Sequence, residues 1–342
     1  MSMDSPFASI SDRFNSLTQC PTPWLGMGCH AFGGSVTPSI SVRALSEAWE
    51  QGVFYFDIAR SYGYGQAEPI LGQFLRTRRD RAIIATKIGE NPQSLSPMNL
   101  WIRQRMTRAI RRVLRYRRSR VTDSFPREPQ NEPRGRSYSI DEVERSLKQS
   151  LRSLGTDYVD ILHLHSVAAS SVTDELVAKL QHYRESGAVR FLGLATSVRE
   201  TNAILKDYDV FDIVQIRDSI QNQEIDDVQP AGRDFSLVTH SVLGRSGVFR
   251  RQLLKFLVSH PAKAEAISAT LGSPVSSPAG IVRMLLGCAL QRNSTGTVIC
   301  GMNQPRQVRN LVEAHRSFLP GDELLRTVNE QLAPLLGEKG SR

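Results

Sequence analysis

Short apolar runs recur along the chain, and several carry a polar or charged side chain at or near their carboxyl end. Residues 53–58 have the sequence VFYFDI, residues 81–87 have RAIIATK and residues 158–165 have YVDILHLH. Continuous runs of branched and aromatic residues are typical of buried strands in a parallel sheet. Each of these segments therefore predicts a buried strand with a polar residue at its mouth.

The same criteria predict eight strand segments with helices between them. The strand segments are residues 24–29, 53–58, 81–87, 158–165, 189–195, 212–216, 235–244, which include both a strand and the loop after it, and 295–300. The helices are residues 39–51, a helix through Leu71 and Leu75, and residues 139–154, 173–187 and 304–315, which we expect to be the last helix. In the first helix, Val42, Leu45 and Trp49 share one face, which we expect to be buried.

Four chemically different side chains lie at or just after the ends of three successive strands. Asp57 ends one run, Tyr62 follows it in a glycine-containing loop, and Lys87 and His165 end the next two runs. A buried carboxylate needs a partner, which Lys87 can provide, and a phenol beside them can serve as a general acid if a cation lowers its pKa from about 10. An eight-stranded β/α barrel collects its catalytic residues at this end of its strands.

At these positions the chain resembles the aldo-keto reductases. The pattern of that family is Asp-x-Ala-x-x-Tyr-Gly, then a strand-terminal Lys, then Leu-x-His, and it is matched by Asp57, Tyr62, Lys87 and His165. The resemblance extends over most of the chain. It implies an α/β fold, a (β/α)8 TIM barrel, with a long basic insertion after strand 3.

The resemblance also implies a reaction, the reversible transfer of hydride between a nicotinamide cofactor and a carbonyl carbon, without a metal. Tyr62 would donate a proton to the carbonyl oxygen, while Lys87 lowers the pKa of the phenol and Asp57 holds the lysine charged. His165 would orient the carbonyl group and stabilise the developing oxyanion. The expected substrate is an aldehyde, a ketone or an aldose.

Four residues are expected at the nicotinamide end of the cofactor. Gly28 would allow backbone to approach the ring, and Gln215 matches the family glutamine that meets the carboxamide. Thr196 stands where the family usually has the Asn of a Ser-Asn pair, so that one hydrogen bond is lost or rerouted. His240 replaces the aromatic residue that stacks on the nicotinamide ring.

The other cofactor residues are expected around the phosphates. Ser241 and Leu243 belong to the loop that wraps the pyrophosphate, and Gly301, Gln307 and Asn310 lie around the start of the helix where this family places the adenosine phosphate. The Lys-Ser start with a later Arg, seen in many members that bind the 2′-phosphate, is absent. We favour NADP(H) and leave NAD(H) open.

The connection at residues 90–138 is much longer than in most of the family. Its residues 101–120 carry nine arginines and no acid, interleaved with apolar residues, which predicts a basic amphipathic helix. We expect this helix to cover one side of the barrel mouth with its charged face in solvent. The alternative is that it binds phosphate groups, nucleic acid or another anionic partner.

Composition limits the remaining possibilities. The chain has 342 residues, which we interpret as one barrel domain over residues 1–342 with the insertion inside it. The net charge of +9 is concentrated in the insertion, which disfavours nucleic-acid binding by the whole chain.

No apolar run reaches the ~20 residues of a membrane span. The four cysteines lack paired or metal-ligand spacing and the N-terminus lacks a secretory pattern, so we expect a reducing cytoplasm.

Two other functions remain open on the sequence alone. The first keeps the fold without the catalysis, as a cofactor-holding regulatory or partner-binding protein. The altered residues Thr196 and His240 favour it, and the complete set of four catalytic candidates argues against it. The second is a sugar dehydrogenase that oxidises a lactol with NAD, with Tyr62 as the base.

Overall fold

A computed structural model of the protein describes residues 24–92, 136–229, 234–244, 247–318 and 323–336, together with the single residues 12, 232 and 321. Within this part of the chain, eight parallel strands close into a barrel in sequence order, and the last strand pairs with the first. The strands are β1 (Trp24–Gly28), β2 (Tyr55–Asp57), β3 (Ile83–Ile88), β4 (Val159–His165), β5 (Val189–Ala195), β6 (Ile213–Arg217), β7 (Ser236–His240) and β8 (Thr297–Gly301). The predicted (β/α)8 barrel is confirmed.

Helices surround the barrel, and more of them follow β7 than the sequence led us to expect. They are α1 (Pro38–Glu50), α2 (Ala67–Leu75), α3 (Ile140–Leu154), α4 (Asp174–Glu185), α5 (Val198–Asp207), α6 (Gly247–Ser259), α7 (Pro261–Leu271), α8 (Pro278–Arg292), α9 (Pro305–Arg316) and α10 (Glu323–Leu336). The prediction that residues 304–315 form the last helix is wrong. Helix α10 follows, and it buries Leu324, Val328 and Leu332 in the core that it shares with α7 and α8.

The buried face of α1 also differs from the prediction. Val42 is 38% exposed. The helix instead buries a face of small residues and one leucine, namely Ser41, Ala44, Leu45 and Ala48. A serine can be buried here because its hydroxyl donates to the carbonyl of Thr37 at 3.0 Å.

The inside of the barrel determines where a site can form. Its inward-facing side chains make a separate apolar cluster of Trp24, Tyr55, Ile83, Ala85, Ile161, Phe191, Ile213, Val238 and Ile299. Because strand side chains alternate between two faces, the residue two positions further along each strand also faces inward. Those positions include Asp57, Lys87, His163, Gly193 and Gln215. The apolar interior is therefore capped by a polar layer at the carboxyl ends of the strands.

One member of this polar layer depends on a missing side chain. His163 on β4 is paired in register with Gly193 on β5, and its ring is fully buried. A Cβ atom on Gly193 would collide with the imidazole ring. The glycine therefore provides the space inside the barrel that the histidine fills.

The insertion lies largely outside the described residues, and the predicted basic helix at 101–120 falls there, so neither its expected place over the barrel mouth nor the alternative of an anionic partner is tested. Its two ends are described. Glu90 and Arg136 form an isolated antiparallel bridge, and the amide of Ser137 donates to the carbonyl of Gly89 at 3.3 Å. The ends of the segment therefore meet just beyond β3. In the part of the chain that the structure describes, no helix is long and apolar enough to cross a membrane.

Candidate active site

The centre of the polar layer is a buried ion pair between neighbouring strands. Lys87 Nζ on β3 lies 2.5 Å from Asp57 Oδ1 on β2, and both side chains are buried. Lys87 also donates to the carbonyl of Ile58 at 3.0 Å, and Gln215 Nε2 on β6 donates to the same Asp57 oxygen at 3.0 Å. Two donors converging on one carboxylate oxygen fix its position and keep its charge compensated.

Tyr62 stands directly above this pair in the turn that follows β2. The turn, Tyr62–Gly65, contains three successive residues with positive φ, at Gly63, Tyr64 and Gly65. A side chain at Gly63 would collide with the carbonyl of Phe32, so that position requires glycine. The turn holds the Tyr62 ring with its centroid 5.0 Å from Lys87 Nζ.

The ionisation of Tyr62 is dominated by its burial. Burial raises the pKa of the Tyr62 phenol well above its ordinary value, and the negative charges of Asp57 and Glu90 raise it further. The sequence led us to expect that Lys87 lowers this pKa. In the structure the lysine charge is compensated by Asp57 at 2.5 Å, and the phenol keeps its proton at neutral pH.

His165 lies across the site from Tyr62, at the end of β4. The two ring centroids are 6.3 Å apart and the rings are nearly perpendicular. Burial lowers the pKa of the His165 imidazole well below its ordinary value, and the positive charge of Lys87 acts in the same direction. The ring is therefore neutral at pH 7. Its Nδ1 atom lies 3.3 Å from Glu90 Oε2, and its main-chain carbonyl accepts a hydrogen bond from the Tyr138 hydroxyl.

Three of the four residues predicted for the nicotinamide end, Gly28, Thr196 and Gln215, lie on or just after β1, β5 and β6. Gly28 has little room for a side chain, since a Cβ there would lie 3.2 Å from Ile299. Gln215 Oε1 is buried and has no hydrogen-bond partner among the described residues. The Thr196 hydroxyl donates to the carbonyl of Val167 at 2.8 Å, so that it offers only acceptor lone pairs to a ligand.

The fourth of these residues, His240, is the last residue of β7, and the residues predicted for the pyrophosphate follow that strand. His240 Nδ1 lies 2.9 Å from the Ser241 hydroxyl, which ties the imidazole to the next residue. Ser241 has a φ of 63°, and its carbonyl accepts from the amide of Gly244 at 2.8 Å, so the chain turns sharply here. The Leu243 carbonyl accepts from Arg250 Nη1 at 2.6 Å, which joins the turn to α6.

The residues predicted for the adenosine end surround the start of α9. Gly301 is exposed at the end of β8, Asn310 is exposed on α9, and Gln307 Oε1 accepts from the amide of Asn303 at 2.9 Å. Asn303 Oδ1 is buried and has no hydrogen-bond partner in the described part of the chain. Arg309 is paired with Glu47 at 2.5 Å.

Comparison with known proteins decides the family. A model of the Aldo/keto reductase family matches residues 24–324. The chain belongs to this family. Among curated proteins, it is 28% identical over 215 residues to the pyridoxal 4-dehydrogenase of Microbacterium luteolum, covering 61% of this chain and 58% of that protein. It is 26% identical over 189 residues to the D-threo-aldose 1-dehydrogenase of a Pseudomonas species, covering 52% of this chain and 51% of that protein.

These sequence matches cover about half of the chain, while the structural likeness extends over most of it. The chain matches little more than half the length of either curated relative. The solved structure of an aldo-keto reductase of Bacillus halodurans in its holo form is similar over 93% of this chain and 95% of that chain, with a TM-score of 0.63 and 20% sequence identity. At this identity the likeness supports the barrel fold and nothing finer.

A nicotinamide cofactor fits the residues of this aldo/keto reductase. Two buried acceptors, Gln215 Oε1 and Asn303 Oδ1, lack partners among the described residues and lie at the two ends of the predicted cofactor site. Buried polar atoms are normally hydrogen-bonded. The carboxamide of nicotinamide and the amino or hydroxyl groups of adenosine carry the donors that these atoms need.

Three residues around the site were not predicted. His30 follows β1 and packs edge-on against Tyr62, with ring centroids 5.0 Å apart. Glu90 follows β3 and Tyr138 lies on the far side of the insertion. The sequence could have indicated His30 and Glu90 as site residues, since each is a polar residue two positions beyond the end of a barrel strand. Tyr138 had no local signal, because only the return of the chain after the insertion places it here.

Proposed function

We propose that this aldo/keto reductase interconverts a carbonyl group and an alcohol by hydride transfer. The observation that carries the proposal is the buried pair of Asp57 and Lys87 beside the Tyr62 phenol, at the carboxyl ends of the barrel strands. A bound NADP(H) or NAD(H) supplies or accepts the hydride at C4 of its nicotinamide ring. The residues of the chain supply position, polarity and the proton.

Tyr62 is the proposed proton donor. A phenol whose pKa is raised by burial holds its proton at neutral pH and can transfer it to the oxygen of a carbonyl group as that oxygen gains charge. Lys87 has three N–H donors, of which Asp57 and Ile58 take two. The third is left to stabilise the phenolate that proton transfer would produce, and Asp57 holds the ammonium group in position. His165, neutral and across from Tyr62, orients the substrate.

We propose that the nicotinamide end of the cofactor is held by Gln215, Thr196, Gly28 and His240. The pyrophosphate would be held by Ser241 and Leu243. Gly301, Gln307 and Asn310 would hold the adenosine end, where the unpaired N–H groups of the α9 N-terminus attract phosphate. We favour NADP(H) because Arg306 is an exposed cation in the first turn of α9, whereas Arg309 is paired with Glu47. The three described cysteines are buried and outside disulfides, which supports our proposal of a reducing, cytoplasmic location.

The second candidate is oxidation of a sugar, with the same residues in the reverse direction. It is favoured by the likeness to a protein named as an aldose 1-dehydrogenase. In that direction Tyr62 would be the base and would have to lose its proton first. Because its pKa is raised by burial, we place reduction ahead of oxidation at neutral pH.

Cofactor binding and turnover test the proposal together. We expect NADPH to quench the tryptophan fluorescence of the purified protein more strongly than NADH at equal concentration, and the protein to oxidise NADPH in the presence of aldehydes, ketones or aldoses. Binding without turnover of any carbonyl or sugar would favour a cofactor-holding regulatory protein instead. Absence of binding to either cofactor would refute the proposal.

A further inference from the structure

The nicotinamide end of the proposed cofactor site offers acceptors from β5 and β6 without a matching donor. Gln215 donates through Nε2 to Asp57 Oδ1 at 3.0 Å, so its buried Oε1 atom is the group left for a ligand. The Thr196 hydroxyl gives its only proton to the carbonyl of Val167 at 2.8 Å. Both side chains can therefore accept a hydrogen bond from a ligand, and neither has an N–H or O–H group left to donate.

The carboxamide of nicotinamide carries both kinds of hydrogen-bonding group. Its NH2 group has two donors, and its carbonyl oxygen is an acceptor. Gln215 Oε1 and the Thr196 hydroxyl match the NH2 group, so the carbonyl oxygen needs a donor from another residue. A polar atom that is buried on binding without a partner weakens the complex by the cost of its desolvation.

Arg217 lies two residues beyond Gln215, at the carboxyl end of β6. Because strand side chains alternate between faces, Arg217 lies on the inward face that also carries Ile213 and Gln215. It is in register with His240 on β7, the residue predicted to stack on the nicotinamide ring. Its side chain is 38% exposed, so a ligand in the barrel mouth can reach it. Arg217 therefore leaves the backbone next to both residues that are proposed to meet the ring.

One edge of the Arg217 guanidinium group is held by Glu224. The Oε1 atom of Glu224 accepts from Nε at 2.8 Å and lies 2.7 Å from Nη2. Within the described part of the chain, Nη1 has no hydrogen-bond partner. An arginine has five N–H donors in a planar fork, so the two on Nη1 are left for a ligand.

Glu224 is in turn fixed by the loop that follows β6. The next residue, Ile225, donates from its amide to Asp218 Oδ1 at 3.1 Å. Asp218 is buried, and its two oxygens accept from Arg292 of α8 at 2.7 and 3.0 Å. An ion pair between mobile surface side chains contributes little, whereas this loop is anchored to a helix of the barrel wall. The Arg217 guanidinium group is therefore held in one position by its partner.

We propose that Arg217 is a cofactor-binding residue that donates a hydrogen bond to the carboxamide oxygen of nicotinamide, in place of the donor that Thr196 does not supply. The inference rests on the proposed oxidoreductase function and adds a residue to its cofactor site. With Gln215 and Thr196 accepting from the NH2 group, every polar atom of the carboxamide then has a partner. This arrangement fixes which way the carboxamide faces, and with it the orientation of the ring.

Binding of a cofactor, an analogue and a fragment tests this role without turnover. Isothermal titration calorimetry of the full chain gives Kd for NADP⁺, for thionicotinamide NADP⁺, in which sulfur replaces the carboxamide oxygen, and for 2′-phospho-ADP-ribose, which lacks nicotinamide. In Arg217→Met we expect the Kd for NADP⁺ to rise roughly tenfold, the effect of about one hydrogen bond. Because sulfur is a weak acceptor, the Kd for the thio analogue should rise less. The Kd for 2′-phospho-ADP-ribose should not change.

Two further variants control for the loss of a charge and for misfolding. Arg326→Met, which removes an exposed arginine on α10, should leave all three Kd values unchanged. If Arg217→Met does not fold, Arg217→Gln replaces it, since glutamine keeps a donor on a shorter side chain, and the same pattern should appear in smaller size. If the wild type binds only NAD⁺, the corresponding NAD⁺ analogue and ADP-ribose are used.

The outcomes separate the two proposals. An unchanged Kd for NADP⁺ in Arg217→Met, or an equal rise for NADP⁺ and 2′-phospho-ADP-ribose, would overturn the role of Arg217 and leave the oxidoreductase function standing. If the Kd values change as expected and the wild type turns over no carbonyl compound or alcohol, the hydrogen bond stands and the proposed oxidoreductase function fails.

Discussion

The ammonium group of Lys87 lies 2.5 Å from the carboxylate of Asp57, and neither side chain is exposed to solvent to any large extent. The pair joins adjacent strands of the barrel at the level where Tyr62 and His165 meet. A buried pair of this kind does not by itself stabilise a protein, but the loss of one partner leaves the other as an uncompensated charge. The pair can therefore be tested through stability and activity separately.

Asp57→Asn should lower the free energy of unfolding by about 3–5 kcal/mol, because it leaves the Lys87 ammonium buried without its counter-charge. Asp57→Asn combined with Lys87→Met should restore much of that stability and should remain inactive. Urea unfolding followed by circular dichroism measures the free energy of unfolding, and the rate of NADPH oxidation measures the activity. Full activity in the double variant would remove this pair from the mechanism.

Tyr62→Phe removes the proposed proton donor and keeps the ring. We expect kcat for carbonyl reduction to fall by about 10²–10⁴, the usual contribution of a general acid, with little change in cofactor affinity. Tyr208→Phe is the matched control, since it removes a hydroxyl that bonds to Asp174 outside the site. Equal activity of Tyr62→Phe and the wild type would show that another group donates the proton.

The raised pKa of Tyr62 predicts different pH profiles for the two directions. Reduction needs the protonated phenol, which persists above pH 7 because burial raises its pKa, so kcat for reduction should stay level through neutral pH. Oxidation needs the phenolate, so its kcat should rise as the pH is raised from 7 to 10. Initial rates in both directions over this range give the test, and a reduction rate that falls around pH 7 would contradict the assignment.

Gly193→Ala should destabilise the barrel, since the new methyl group would collide with the His163 ring. Overpacking of a core costs about 1–3 kcal/mol. Adding His163→Ala should recover part of the loss, because the collision disappears with the imidazole. Thermal melts of the two variants and the wild type measure this, and a Gly193→Ala protein with an unchanged Tm would show that β4 and β5 can separate to accept the methyl group.

Much of the site was predictable because it uses local signals. Asp57, Lys87 and His165 each end an apolar run, and the carboxyl ends of parallel strands meet at one edge. Helix α8 gave no such signal, because it is buried over consecutive residues from Met284 to Leu290 and so has no single apolar face. The pairing of Glu90 with Arg136 was beyond sequence reasoning, since the two residues are separated by 46 positions and only the folded chain brings them together.

The bridge between Glu90 and Arg136 also bears on how the chain can change in length. Because the two ends of the insertion are joined beside β3, the chain leaves and re-enters the described part of the structure at one place. The entropy cost of closing a flexible loop grows only with the logarithm of its length, by about 0.6 kcal/mol for each doubling. Residues can therefore be gained or lost between these ends at small thermodynamic cost. The length and sequence of this connection can then differ between barrels while the polar layer of the site stays the same.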